Sequence, residues 1–383
     1  MRPFEIHVPD AVLQDLHERL DRARLPDELD AADWDYGTPL GYLTELVGYW
    51  RNDFDWRAQE AALNAFDQYK TQIDGIDVHF IHHRSPEEDA LPLIITHGWP
   101  GSVAEFMKII GPLTDPVAHG GRAEDAFHVV APSIPGYGFS GHPRDRGFGP
   151  QAAADVNAAL MERLGYDRYG LQGGDWGAII SRWHAFEHAE PVVGLHLNML
   201  ISGPPPGVED PTAGVPEEEL ARMRERTAFF QGPETGYSHI QGTKPQTLGY
   251  GLNDSAVGQA AGVVEKFRTR WDCNGDPETI FKKDELLTNI TIYWVTQTAT
   301  SSARMYYESG LARAGGGGQP GRIEVPTAGA IFPHELFYAP RAWAEAWYNL
   351  TRWTEMPRGG HFAAMEQPEL FVDDVRAFFA DLR

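Results

Sequence analysis

Tyr169-Gly170-Leu171-Gln172-Gly173-Gly174-Asp175-Trp176-Gly177 is the stretch on which the reading of the whole chain turns. A short strand-like run passes through two glycines into an acid, and the residues that follow, to about His188, read as a helix. A sharp strand-to-helix turn projects its central side chain from the carboxyl end of the strand and needs small neighbours, because bulky ones collide with the turn. The pentapeptide Gly173–Gly177 has the form of a nucleophile elbow with Asp175 where serine is commoner. Read alone, it serves equally well as a Gly-Asp turn with Asp175 as an ordinary helix N-cap. No Gly-x-Ser-x-Gly occurs elsewhere, so no serine competes for the role.

Working outward, the same strand-then-turn pattern recurs. Leu91 to Thr96 is a short apolar run ending in His97-Gly98-Trp99-Pro100-Gly101, and Phe127 to Ala131 another, ending in Pro132-Ser133-Ile134-Pro135-Gly136-Tyr137-Gly138. Ile73 to His83 alternates as strands do, with Asp74-Gly75 as a hairpin turn. Residues 151–164 read as a helix and Val192 to Met199 as a further strand. Strands alternating with helices imply an α/β architecture: a mostly parallel central sheet with helices on both faces. Upstream, helical spacing over 10–24, 39–50 and 56–69 predicts an N-terminal helical arm, residues 1–72, whose many aromatics pack it onto the core and lid. Downstream, 201–217 is rich in Pro, Gly and acids, and 218–312 is helical without strand alternation. Together with the Gly315–Gly318 return loop these residues read as a helical lid insertion, 201–320, dividing a core of 73–200 and 321–383. Ile323 to Phe332 and Thr351 to Met356 are the expected last strands, and 368–382 a closing helix.

Charge and cysteine content narrow the partners. Thirty-two basic against 55 acidic residues give a net charge of −23, which repels phosphate backbones and anionic lipid, so neither nucleic acid nor a membrane surface is expected as a partner. The one cysteine, Cys273, rules out an internal disulfide framework and Cys-rich metal sites. No apolar stretch reaches the length of a membrane span or signal peptide, so a cytoplasmic location is expected. A homodimer is the base-rate expectation for assembly.

Two further segments bear on chemistry. In an α/β-hydrolase fold the loop after an early strand and the residue after the nucleophile each supply a backbone N–H to an oxyanion hole, which here would be Trp99 and Trp176. Taken alone, His97–Gly101 reads better as a Pro-Gly turn. Gly359-Gly360-His361-Phe362 follows a late strand, where this fold places its base, and that position singles out His361 among 15 histidines. Between Asp175 and His361 the carboxylates at a strand end include Glu335, in Phe332-Pro333-His334-Glu335-Leu336. A lone Glu there is ordinarily a charge at a helix start, and it becomes an orienting acid only beside the other two.

Taken together, the elbow, His97–Ser102, Pro132–Ser140 and Gly359-Gly360-His361-Phe362-Ala363-Ala364-Met365-Glu366 resemble the microsomal-type epoxide hydrolases. The family's N-terminal arm resembles residues 1–100, and its lid motif resembles Gly236-Tyr237-Ser238-His239-Ile240-Gln241-Gly242-Thr243-Lys244-Pro245. The resemblance implies Asp175 as nucleophile, His361 as general base, Glu335 as the acid that orients it, and Tyr237 with Tyr306 as the pair that activates the epoxide oxygen. Without the resemblance both tyrosines read as lid packing, and Tyr307 lies beside Tyr306. The implied reaction opens a small-molecule epoxide, aryl or from secondary metabolism, to a vicinal diol through an Asp ester that water hydrolyses, with neutral His361 as base and no cofactor. Two departures stand out: Ala256 where the family usually has proline, and Gly262 where a bulky aromatic is common, which places Gly262 with Trp99 and Trp176 in the expected substrate pocket. A haloalkane dehalogenase-like hydrolase uses the same nucleophile, and a catalytically silent binding protein would keep the same fold; chloride release, or binding without turnover, would identify them.

Overall fold

The protein is described by a computed structural model covering residues 1–383, the side chain of Pro233 apart. Nine strands form one sheet: β1 (Arg2–Pro3), β2 (Gln68–Ile73), β3 (Ile76–His83), β4 (Leu91–Thr96), β5 (Phe127–Pro132), β6 (Tyr169–Gly173), β7 (Val192–Leu197), β8 (Ile323–Ile331) and β9 (Tyr348–Glu355). Their spatial order is β1-β2-β3-β5-β4-β6-β7-β8-β9. From β5 to β9 every neighbouring pair is parallel, and β1, β2 and β3 extend the sheet antiparallel from β5. The chain leaves β4 toward β5 and returns on its other side as β6, so the strand order reverses there. Such a reversal opens a crevice at the carboxyl ends of the strands.

Three helices, α1 (Asp10–Asp21), α2 (Leu40–Asn52) and α3 (Trp56–Leu63), precede β2. The expected helix over 56–69 stops at Leu63, and Gln68–Ile73 is a strand instead. Its sequence, Gln-Tyr-Lys-Thr-Gln-Ile, alternates poorly because antiparallel pairing with β3, not an apolar face, holds it. The Asp74-Gly75 turn between them has positive φ at both residues (48° and 78°), as a tight hairpin requires. The strand expected over Thr351–Met356 starts earlier, at Tyr348.

The parallel core carries α4 (Met107–Thr114), α5 (Pro150–Arg163) and α6 (Asp175–Glu187). Between β7 and β8 lie α7 (Glu217–Gln231), α8 (Gly236–Thr243), α9 (Pro245–Asp254), α10 (Ala256–Arg270), α11 (Lys283–Thr296) and α12 (Ala299–Ala314). Last come α13 (Arg341–Trp347), α14 (Ala363–Glu366) and α15 (Pro368–Phe379). Period-two alternation sends Leu93, Ile95, Val129 and Ala131 to the face covered by α4 and α15, and Ile94 and Val130 to the face covered by α5 and α6. Each fully buried Leu, Ile or Val among them contributes ~1.5–3 kcal/mol relative to exposure.

The helices between β7 and β8 share a core with the arm. Leu16, Leu46 and Trp50 pack with Val264, Phe267 and Leu287, and this cluster reaches Phe362, next to His361. The Trp50 Nε1–H donates to Thr291 Oγ1 at 3.0 Å, so its polar edge is satisfied in that core. Among the described residues no helix is long and apolar enough to cross a membrane.

Candidate active site

Asp175 follows β6 as the first residue of α6, with φ of +48°. A residue bearing a Cβ pays ~1–3 kcal/mol to stand there, a cost that surrounding contacts must over-determine. They do so through the β4/β6 register. Thr96 lies opposite Gly173, which sets the loop after β4 against the elbow. A Cβ on Gly177 would stand 1.8 Å from Thr96 O, and one on Gly98 would stand 2.2 Å from Asp175 Oδ1. Only hydrogen at these two positions lets the loops approach this closely.

That approach lets the Trp99 N–H donate to Asp175 Oδ1 at 2.7 Å. The other oxygen, Oδ2, lies 3.1 Å from His361 Nε2, and His361 Nδ1 lies 2.6 Å from Glu335 Oε1. Glu335 stands in the loop after β8 and His361 in the loop after β9, so four parallel strands present these groups at one end of the sheet. The structure therefore brings Asp175, Trp99, Glu335 and His361 together. The Trp176 N–H, in the first turn of α6, makes no hydrogen bond to Asp175.

Ionised carboxylates only accept hydrogen bonds, so an imidazole held between two of them carries a proton on each nitrogen. Burial opposes that charge, but Glu335 and then Asp175 outweigh burial and raise the His361 pKa to about 10. The free site therefore holds His361 as the imidazolium. Burial likewise acts against the Asp175 charge, yet the hydrogen bond to and charge of His361, then Arg270 and the Trp99 N–H, hold its pKa below the ordinary value.

Tyr237 on α8 stacks on Trp99, ring centroids 4.8 Å apart and planes 6° apart. Tyr306 on α12 meets Trp176 edge-on at 4.8 Å and Tyr237 at 5.7 Å. Both line, with Asp175 and Trp176, a cavity of about 620 Å³, and Tyr307 does not. Burial, then Tyr237 and Asp175, push the Tyr306 pKa well up, so its phenol keeps its proton and is a donor at neutral pH.

Gly262 is a correction. It lies on the exposed side of α10, a Cβ there would meet nothing within 4 Å, and it is no part of the cavity wall. The helix turns Val263, Phe267 and Arg270 inward at positions i, i+4 and i+7, which leaves Gly262 facing out. Ala256 is buried in the core shared with the arm, away from the cavity. Trp99 lies beneath Tyr237 and outside the cavity lining, which Trp176 does join.

Sequence reasoning missed several groups here. His97 is a strut: burial lowers its pKa to about 4, and its ring bonds Gly98 O at 3.0 Å and accepts from Ile134 N–H at 3.2 Å. Glu105 has an enclosed, unpartnered Oε1, and burial, then the Asp175 charge, push its pKa up to about 8. Glu366 accepts the N–H groups of Asp272, Gly360 and Phe362 at 2.9–3.0 Å, bracing the His361 loop. Arg270 is fully buried beside Tyr237 and Trp99. Its sequence signal was available: a cation in the inward stripe of an otherwise amphipathic helix.

The model of the epoxide hydrolase N terminus matches residues 1–106, and that of the α/β-hydrolase fold matches residues 92–234. A putative epoxide hydrolase from Stigmatella aurantiaca is 48% identical, covering 100% of this chain and 85% of that protein. Epoxide hydrolase 1 of Sus scrofa is 42% identical, covering 99% and 88%. The juvenile hormone epoxide hydrolase structure from Bombyx mori superposes with a TM-score of 0.89 at 32% identity, covering 100% of this chain and 94% of that one.

Proposed function

Since the chain belongs to the epoxide hydrolase family and is an epoxide-hydrolysing enzyme of the α/β-hydrolase fold, we propose that it acts through a covalent ester on Asp175. The observation that carries this reading is the division of labour at one carboxylate. Trp99 N–H holds Oδ1, while Oδ2 faces His361 at the cavity where two phenols stand.

Oδ2 attacks an epoxide carbon and the C–O bond breaks, with negative charge developing on the departing oxygen. Tyr237 and Tyr306 donate hydrogen bonds to that oxygen and deliver its proton. Esterification removes the Asp175 charge that had favoured the imidazolium. His361 then gives up its second proton, which restores the phenol, and what remains is a neutral hydroxy ester beside a neutral base. Oriented by Glu335, His361 next takes a proton from water, whose oxygen attacks Cγ of Asp175. The Trp99 N–H stabilises the resulting oxyanion on Oδ1. Collapse releases the vicinal diol and regenerates the carboxylate–imidazolium pair. The Trp176 N–H completes the oxyanion hole once Asp175 is alkylated, and the inserted helices act as the lid that carries both phenols.

The cavity favours an apolar body, an aryl epoxide among them. Trp176, Ile179, Met199, Phe230, Leu336 and Phe337 line it, and about 620 Å³ suits a molecule of drug-like size. A single turnover in ¹⁸O-water tests the scheme: the new diol oxygen comes from the enzyme and the label enters Asp175. Label appearing directly in the diol sinks it. In His361→Gln the ester accumulates, read as a mass increase equal to that of the substrate.

A further inference from the structure

Arg270 ends α10 with none of its side chain exposed. Its Nη1 donates to the Trp99 carbonyl at 3.3 Å, while Nε and Nη2 have no hydrogen-bond partner and, among the described residues, no carboxylate pairs with it. Its guanidinium carbon lies 4.8 Å from the Tyr237 ring centroid and 5.9 Å from that of Trp99. Its backbone carbonyl accepts the His361 N–H at 3.0 Å. One residue thus touches the oxyanion loop, the base loop and a lid tyrosine. An arginine does not shed its charge, and a buried charge without a partner is expensive. The other deeply buried cation of α10, Lys266, is paired with Glu234 and Glu265.

The charge has a direction built into it. The Arg270 guanidinium covers the Tyr237 ring, which in turn meets Tyr306, whereas among the described residues no hydrogen bond or ion pair joins it to Asp175. Negative charge that passes from Asp175 to an oxygen between the two phenols therefore comes to rest beside the ring that Arg270 covers. An interaction accelerates a step only insofar as it is stronger in the transition state than in the ground state, and this one is.

We propose that Arg270 is a positioning residue for ring opening: a fixed, water-excluded cation behind Tyr237 that favours charge on the departing epoxide oxygen over charge on Asp175. The assignment rests on the covalent reading above. It does not make Arg270 a substrate ligand, because no part of its side chain is open to the cavity. Its hydrogen bond to the Trp99 carbonyl also fixes the peptide plane that precedes Pro100, and the His361 N–H contact is a backbone bond that side-chain substitution leaves in place.

The test uses Arg270→Met, Arg270→Gln and Arg270→Lys in the full chain, with pre-steady-state ester formation read by quenched-flow mass spectrometry. Two probes are compared, propylene oxide and 3,3,3-trifluoro-1,2-epoxypropane, whose departing alkoxide is much less basic. Loss of the cation slows ester formation from propylene oxide by about 10- to 100-fold, less than the ~10²- to 10³-fold lost with a preorganised donor in direct contact with the oxygen. The loss is several-fold smaller with the trifluoro probe, which needs less help. Arg270→Lys restores most of the rate. A merely structural role slows both probes equally, and equal slowing overturns the proposal, as does Arg270→Lys being no better than Arg270→Gln. Should Arg270→Met fail to fold, the Lys and Gln forms carry the same comparison. Absence of any ester in His361→Gln overturns the covalent reading itself, whereas ester formation with probe-independent slowing overturns only the role of Arg270.

Discussion

Gly98→Ala isolates the contact on which the site depends. Gly98 does not occupy the left-handed region, so alanine brings no backbone penalty; its only effect is the added methyl. That carbon would stand 2.2 Å from Asp175 Oδ1, 2.3 Å from its Cβ and 2.6 Å from its Cγ. Ordinary contact begins more than an ångström farther out, so the loop and the carboxylate must part by ~1 Å, a displacement that costs ~10²-fold in a reaction needing near-attack geometry. That is ~2.7 kcal/mol on the barrier. Part of the strain can be absorbed by moving the loop, so the fold should lose only ~1–3 kcal/mol, the usual range for overpacking. Thermal unfolding measures the second quantity. Single-turnover ester formation with styrene oxide measures the first, as a fall in the rate constant at saturation and not in affinity, because the cavity wall is untouched. A stably folded Gly98→Ala enzyme that forms ester within threefold of the parent rate would refute the reasoning that glycine is there to admit the nucleophile.

Other expectations follow from the same geometry. Gly262→Ala replaces an exposed mid-helix glycine whose Cβ meets nothing, and should stabilise the fold by ~0.5–1 kcal/mol with activity unchanged, read by Tm and steady-state rates. The two half-reactions should separate in pH. Ring opening needs ionised Asp175, whose pKa is lowered, so its rate stays level through neutrality and falls only in acid. Ester hydrolysis needs neutral His361, and in the ester the Asp175 contributions that help lift its pKa to about 10 are gone. The hydrolysis rate should therefore reach its plateau well below pH 10; a rate still climbing through pH 10 in single-turnover decay of the ester would contradict this. Glu366→Ala strips the acceptor from three N–H groups of and around the His361 loop and should cost ~1–3 kcal/mol per buried group left unsatisfied, with hydrolysis slowed more than ring opening.

What the sequence conveys depends on the range of the physics. The parallel core was legible because period-two apolar runs closed by glycine turns are local signals, and the elbow carries its own steric reason for Gly173 and Gly177. Strand β2 was not, because Gln68–Ile73 owes its conformation to pairing with β3 and shows little alternation of its own. Gly262 was placed in the pocket by motif register, whereas the phase of α10 was readable from Val263, Phe267 and Arg270 and points the other way. The tyrosines could not be recognised from periodicity at all. A phenol on α8 and another on α12 acquire meaning only when helices 69 residues apart by those two positions converge over one carboxylate.

The least legible feature was the balance of charge. A motif-based triad of Asp175, His361 and Glu335 counts two carboxylates against one imidazolium, a net negative charge in a water-excluded site, which is costly to bury. The structure places a second cation, Arg270, against the same cluster, from a helix with no motif of its own. It also lifts the neighbouring carboxyl of Glu105 to about 8, which keeps that group protonated at neutral pH and out of the count. With Arg270 included, two anions face two cations. When Asp175 turns into an ester and His361 into a neutral base, Glu335 and Arg270 remain and the count still closes. Counted on the triad alone, the buried cluster carries one net negative charge in both its free and its ester forms, and Arg270 is the cation that brings both to neutrality.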